Sequence, residues 1–107
     1  MIDARTDGVK LPYLRKQELA EMLGISKATV QQRIGEMEAS GRYSPYAVLR
    51  DGRVVEINAL AFIDWLKYRR MWADKHLRKY IPEYSAEKVA RSLGWKIDKV
   101  SLRRVAV

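Results

Sequence analysis

Ser26, Lys27, Thr29, Gln31, Gln32 and Arg33 lie within eight residues of one another, and they are side chains that recognise rather than catalyse. A glutamine amide offers a donor and an acceptor side by side and makes paired hydrogen bonds with the edge of adenine, while lysine and arginine reach guanine edges or phosphates. Ser26 and Thr29 stand where a helix would begin, and a phosphate is favoured at the positive end of the backbone dipole. A second cationic pair, Arg50 and Arg53, brackets Asp51-Gly52. At the tip of a hairpin, two guanidinium groups can follow a nucleic-acid backbone or enter a minor groove, where negative potential is concentrated.

The remaining chemistry is sparse. The chain has no cysteine, and His76 is its one histidine, so thiolate sites and imidazole-based zinc or triad sites have almost nothing to be built from. Asp64 and Asp74 are ten residues apart on a presumed helix, without histidine between them or a clear nucleophile around them, and the glutamates keep no compelling mutual spacing. We therefore expect no enzyme, no metal and no cofactor. The formal charge is +8, concentrated toward the carboxy terminus: residues 61–81 hold six Lys/Arg against two Asp/Glu, whereas residues 1–60 hold nine against eight. Such a balance favours a polyanion as partner. No apolar run approaches the roughly 20 residues that cross a bilayer, and the first residues given lack the basic, apolar and small-residue order of a signal peptide. A soluble cytoplasmic, nucleoid-associated chain without a membrane partner is the expectation.

The recognising residues need a scaffold, and the sequence supplies one. Leu19 and Leu23 share a face of a helix over Lys16–Leu23, Gly24 gives the freedom to stop it, and Ser26 caps a second helix reaching about residue 39, with Val30 and Ile34 inward. Two helices joined so briefly form a helix-turn-helix. Asp51-Gly52 predicts a hairpin pairing Arg50 with Arg53, Val48 with Val55 and Tyr46 with Ile57. Asn58 then caps a long basic helix over 59–79, which at 21 residues would span roughly 32 Å. Trp65, Tyr68 and Trp72 form an aromatic stripe on it, suited to packing or self-association, among the basic residues Lys67, Arg69 and Arg70, which can reach DNA backbone. Pro82 ends that segment, and Ser85 caps a short helix to about Leu93. Lys88–Gly94 weakly repeats the Ala-x-x-Leu-Gly pattern of Glu18–Gly24, a match that any short amphipathic helix before a turn can give, so a second helix-turn-helix at the carboxy terminus is the lesser reading and residues 101–107 can instead be a terminal strand.

The segment from Tyr13 to Val30, the Asp51-Gly52-Arg53 wing and the helix after Asn58 resemble the winged helix-turn-helix of phage excisionases and related MerR-superfamily regulators. The resemblance covers about residues 12–66. It implies a mainly α fold with a small β-hairpin wing; the residue pattern itself adds the continuation of the last helix to about 80, a short helical or mixed element over 82–107, and a flexible arm at 1–11. It implies that Lys27, Thr29, Gln31 and Arg33 lie on or beside a major-groove helix and that Arg50 and Arg53 belong to the wing. Excisionases bend attachment-site double-stranded DNA, often as adjacent copies, and bias an integrase toward excision; some also repress transcription. A homodimer or DNA-templated oligomer and an integrase are thus the implied partners. Small terminase subunits use similar domains, and an adaptor that binds protein through the aromatic helix is the alternative outside nucleic acids.

Overall fold

The computed structural model describes residues 13–94. The arm read at 1–11, and the terminal strand or second helix-turn-helix read beyond Gly94, lie outside the described residues. A strand that the sequence does not announce opens the fold: β1, Tyr13–Arg15, turns at Arg15 directly into α1, Lys16–Leu23. The serine or threonine usual before such a helix is missing. Instead the Glu18 carboxylate, three residues in, accepts from the Arg15 backbone N–H at 2.9 Å, which is the returning half of a capping box.

Gly24 adopts φ 67° and closes α1, its N–H donating to the Ala20 carbonyl. Only a residue without a Cβ takes that conformation without strain. Ser26 Oγ accepts from the Thr29 backbone N–H at 3.0 Å and begins α2, Lys27–Ser40. Val30, Ile34 and Met37 recur at helical spacing and are buried, as is Leu19 of α1. The two helices thereby seal one apolar seam.

A turn at Pro45–Ala47 leads to β2, Val48–Asp51, and β3, Val54–Asn58. The three strands form an antiparallel sheet in the order β1-β3-β2. The hairpin differs from its expected register by two residues: Val48 faces Ile57, Arg50 faces Val55, and Asp51 faces Val54. The two-residue loop is accordingly Gly52-Arg53. An Asp51-Gly52 turn of the primed type wants positive φ at both central residues, but with Gly52 in first place a single positive φ suffices, and the described chain has none outside glycine. A two-residue slip keeps every side chain on its face. Tyr46, however, leaves the ladder for the preceding turn and is exposed, and Ala47 is buried in its stead.

Asn58 Oδ1 accepts from the Ala61 N–H at 3.1 Å and starts α3, Ala59–Ala73. This helix is shorter than the expected 59–79. Asp74 ends it, with Oδ1 accepting from the His76 N–H at 2.8 Å in a side-chain turn that replaces the next helical bond. Its 15 residues reach about 22 Å, and of the basic residues beyond it Arg78 and Lys79 sit on a separate turn, Arg78–Tyr80. Leu60, Phe62 and Ile57 complete the core. α4, Ala86–Leu93, is capped by Ser85 as the sequence predicts and packs on α3, burying Ala90.

The aromatic stripe is largely taken up within the chain. Trp65 is 4% exposed, its ring meets Trp72 and Tyr43 edge to face, and Tyr43 meets Tyr84 of the returning segment at 5.0 Å between ring centres. Trp65 is a core residue and offers nothing to a second copy, and Trp72 packs partly against the same core. Tyr68 lies beneath the Arg42 and Lys67 cations instead.

Candidate nucleic-acid interface

With about 100° per residue, the buried line of Val30, Ile34 and Met37 sets the inward side of α2. The opposite side carries Ala28, Gln32, Gly35 and Ala39, all exposed. Lys27, Gln31 and Glu38 make one flank; Thr29, Arg33 and Glu36 make the other. Gln32 is therefore the central long side chain of the outward line, with Gln31 about 100° to one side. Lys27, Gln31 and Gln32 make no hydrogen bond or ion pair with any described residue. Ser26 is occupied as a cap, and its hydroxyl also pairs with that of Thr29 at 2.9 Å.

The two flanks are tethered differently. On the Gln31 side, Arg50 of β2 donates from Nη2 to Glu38 Oε1 at 2.7 Å, so the wing is tied to α2 by one exposed ion pair. Such a pair contributes about 0–1 kcal/mol, and a phosphate can replace Glu38 at small cost. Arg53 sits in the loop itself, exposed and without a described partner. On the Arg33 side, Glu36 is a hub. It accepts from Arg33 Nη1 at 3.0 Å, from Trp65 Nε1 at 2.9 Å, and from Arg69 Nε and Nη2, both at 2.8 Å.

The Arg69 bond dominates the acidity of Glu36. With Trp65 and Arg33 added, and against partial burial, it holds the carboxyl at about 2, below its ordinary 4.5. The unfolded chain then takes up a proton that the folded chain refuses. This contribution is complete above 4.5 and is lost as pH falls through about 2. We expect the melting temperature to fall on acidification through that window and Glu36→Gln to flatten that part of the profile. Parallel profiles for the two proteins would show that the hub is energetically silent.

Lys67, Arg69 and Arg70 do not share a face. Lys67 stands roughly 160° and Arg70 roughly 100° around α3 from Arg69, so Arg69 alone is turned to α2. Glu36 and Glu38 are the residues that sequence reasoning passed over. The i,i+3 spacing of Arg33 and Glu36 was visible in the sequence, whereas the reach of Arg69 across 33 positions was not.

Behind the site, Arg42 donates from Nε and Nη2 to the two Asp64 oxygens at 2.9 and 3.3 Å, and the Tyr43 hydroxyl donates to Asp64 Oδ2. The carboxylate and guanidinium are 5% and 6% exposed. Burial, reinforced by the Asp64 charge, raises the Tyr43 and Tyr84 phenols well above their ordinary range. This network fastens the end of α2 to the middle of α3. Asp64 is thus engaged by Arg42 and Tyr43 as a tie between helices, and among the described residues no group of three or more His, Cys, Asp or Glu could hold a metal. No helix among them is long and apolar enough to cross a membrane.

Residues 12–42 match the family described as winged helix-turn-helix DNA-binding, a non-catalytic architecture. The match spans α1, the turn and α2, and speaks for generic DNA binding rather than for the excisionase or MerR branches. No curated protein and no solved structure matches the chain.

Proposed function

We propose that the protein is a sequence-preferring double-stranded DNA binder, with residues 12–66 as its DNA-binding unit. In this reading α2 enters the major groove, Gln32 and Gln31 read base edges, Lys27 and Arg33 reach bases or phosphates, and Arg50 and Arg53 bring the wing to the backbone. The observation that carries it is the outward side of α2: a partner-free reading line between a cationic wing and an arginine-bearing flank. The biological role that best fits a small winged module with basic outer turns is architectural. It would resemble an excisionase that directs site-specific recombination with an integrase, or a small phage or plasmid transcriptional regulator. Because Trp65 is committed to the core, side-by-side loading on DNA fits better than a free dimer through the stripe; sedimentation with and without duplex separates the two.

Selection from a duplex pool at several salt concentrations tests the reading. A motif should emerge, with affinity falling as salt rises. Gln31→Ala and Gln32→Ala are expected to change the selected bases, each lost bidentate contact relaxing discrimination by about 1–3 kcal/mol. Arg50→Ala and Arg53→Ala should keep the motif and make the salt dependence shallower by about one unit each. Equal, weak attraction to every polyanion would refute the assignment.

A further inference from the structure

We propose that Arg33, Arg69 and Arg78, with Lys75 and Lys79 beside the last, form a second DNA-backbone contact along the flank of α2 opposite the wing, with Glu36 as its positioning residue. This rests on the DNA-binding reading above and extends it to a surface that a helix-turn-helix and wing leave unused.

The surface is continuous from one element to the next. Arg33 of α2 and Arg69 of α3 meet on the Glu36 carboxylate, which also holds the Trp65 indole N–H. The Trp65 ring packs on Trp72 at 6.2 Å. The Arg78 guanidinium lies 4.9 Å over Trp72 and donates from Nε to the Trp72 carbonyl at 2.8 Å, which fixes the basic turn to the end of α3. A guanidinium has five N–H donors. Arg69 engages two of them with described residues, Arg33 one and Arg78 one. Each therefore retains at least three for an external acceptor. Lys75, Arg78 and Lys79 are exposed, and Glu36 and Asp74 are the acidic groups along this path.

The geometry of a duplex supplies the reason for a contact here. A major groove is about 12 Å wide and a helix with its side chains is about 10–12 Å across. A helix lodged there has a phosphate strand along each flank. The wing, tied to Glu38, meets one strand; the Arg33, Arg69 and Arg78 line is in register for the other. Glu36 costs the surface one negative charge and in return orients two guanidinium groups from different helices.

Fluorescence anisotropy with the selected duplex, across a salt series, tests this. The exposed triple variant Lys75→Ala/Arg78→Ala/Lys79→Ala should keep its motif, bind about tenfold or more weakly, and show a salt slope shallower by about two to three units. Its hydroxyl-radical footprint should shorten on the side away from the wing. Glu36→Gln removes a negative charge and by charge alone would bind more tightly; loss of positioning makes it bind more weakly with the motif unchanged. An unchanged slope and footprint in the triple variant, or tighter binding by Glu36→Gln, overturns the proposal while wild-type motif selection leaves the DNA reading intact. A wild-type chain that binds no duplex removes the DNA reading itself, and this surface with it.

Discussion

Asp64→Ala should lower folding stability by about 3–5 kcal/mol, a large share of the 5–15 kcal/mol typical of a folded domain. The size follows from what is left behind. Arg42 keeps a charge that is 6% exposed and loses both of its bonds to the carboxylate, and the Tyr43 hydroxyl loses its acceptor in the same change. What remains to Arg42 is its 3.3 Å bond from Nε to the neutral Tyr43 hydroxyl, which carries no charge to replace that of the carboxylate. Exchanging both charges at once, as in Arg42→Met/Asp64→Leu, should recover most of the loss, because an apolar pair of similar volume does not pay for desolvation. Urea denaturation of the two variants measures the difference. A loss below about 1 kcal/mol in Asp64→Ala would mean that water reaches the guanidinium more readily than its burial indicates.

The second large effect divides stability from binding at Gly35. A Cβ built there meets nothing within 4 Å, and the residue is helical and exposed. The fold therefore gains nothing from glycine at this position. Gly35→Ala should stabilise the protein by about 1 kcal/mol, raising the melting temperature by about 4–8 °C. On the outward line, however, Gly35 lies between Gln32 and Ala39, where the helix would come nearest the floor of a groove. Gly35→Glu should melt no lower than the wild type yet bind the selected duplex about a hundredfold more weakly, since like charges brought together at an interface cost several kcal/mol. Undiminished DNA affinity in Gly35→Glu would place the contact surface on another side of α2.

The parts legible in the sequence are those governed by short-range rules. Gly24, Ser26, Asn58 and Ser85 each mark a helix boundary through one backbone conformation or one hydrogen bond, and the end of α1 and the starts of α2, α3 and α4 follow from them. Where the outcome depends on partners distant in the chain, the sequence is less informative. β1 has three residues and no alternation of its own; it exists because β3 offers an edge. The hairpin register is set by Val48 meeting Ile57 as much as by the Asp-Gly pair. The end of α3 comes from one aspartate folding back on its own backbone, a signal weaker than the proline eight positions later. The site divides in the same way. Its outward residues follow from helical spacing, whereas the tethers Arg50–Glu38, Arg69–Glu36 and Arg42–Asp64 join residues 12 to 33 positions apart with no periodic trace.

The carboxylates of Glu36 and Glu38 hold α2 from its two sides, one by α3 and the other by the wing. Mechanically this is a cylinder guyed against torsion. A helix seated only on an apolar seam can roll about its own axis with little resistance, and side-chain tips at a radius of about 5–6 Å then travel about 2 Å for a roll of 20°. That arc is enough to carry a side-chain amide out of reach of any pair of acceptor and donor atoms it was placed against, given how steeply a hydrogen bond weakens with distance and angle. The opposed guys thus set the azimuth of the outward line that carries Gln32, and with either one slackened the other and the apolar seam still hold it, so that only the loss of both would free the helix to roll.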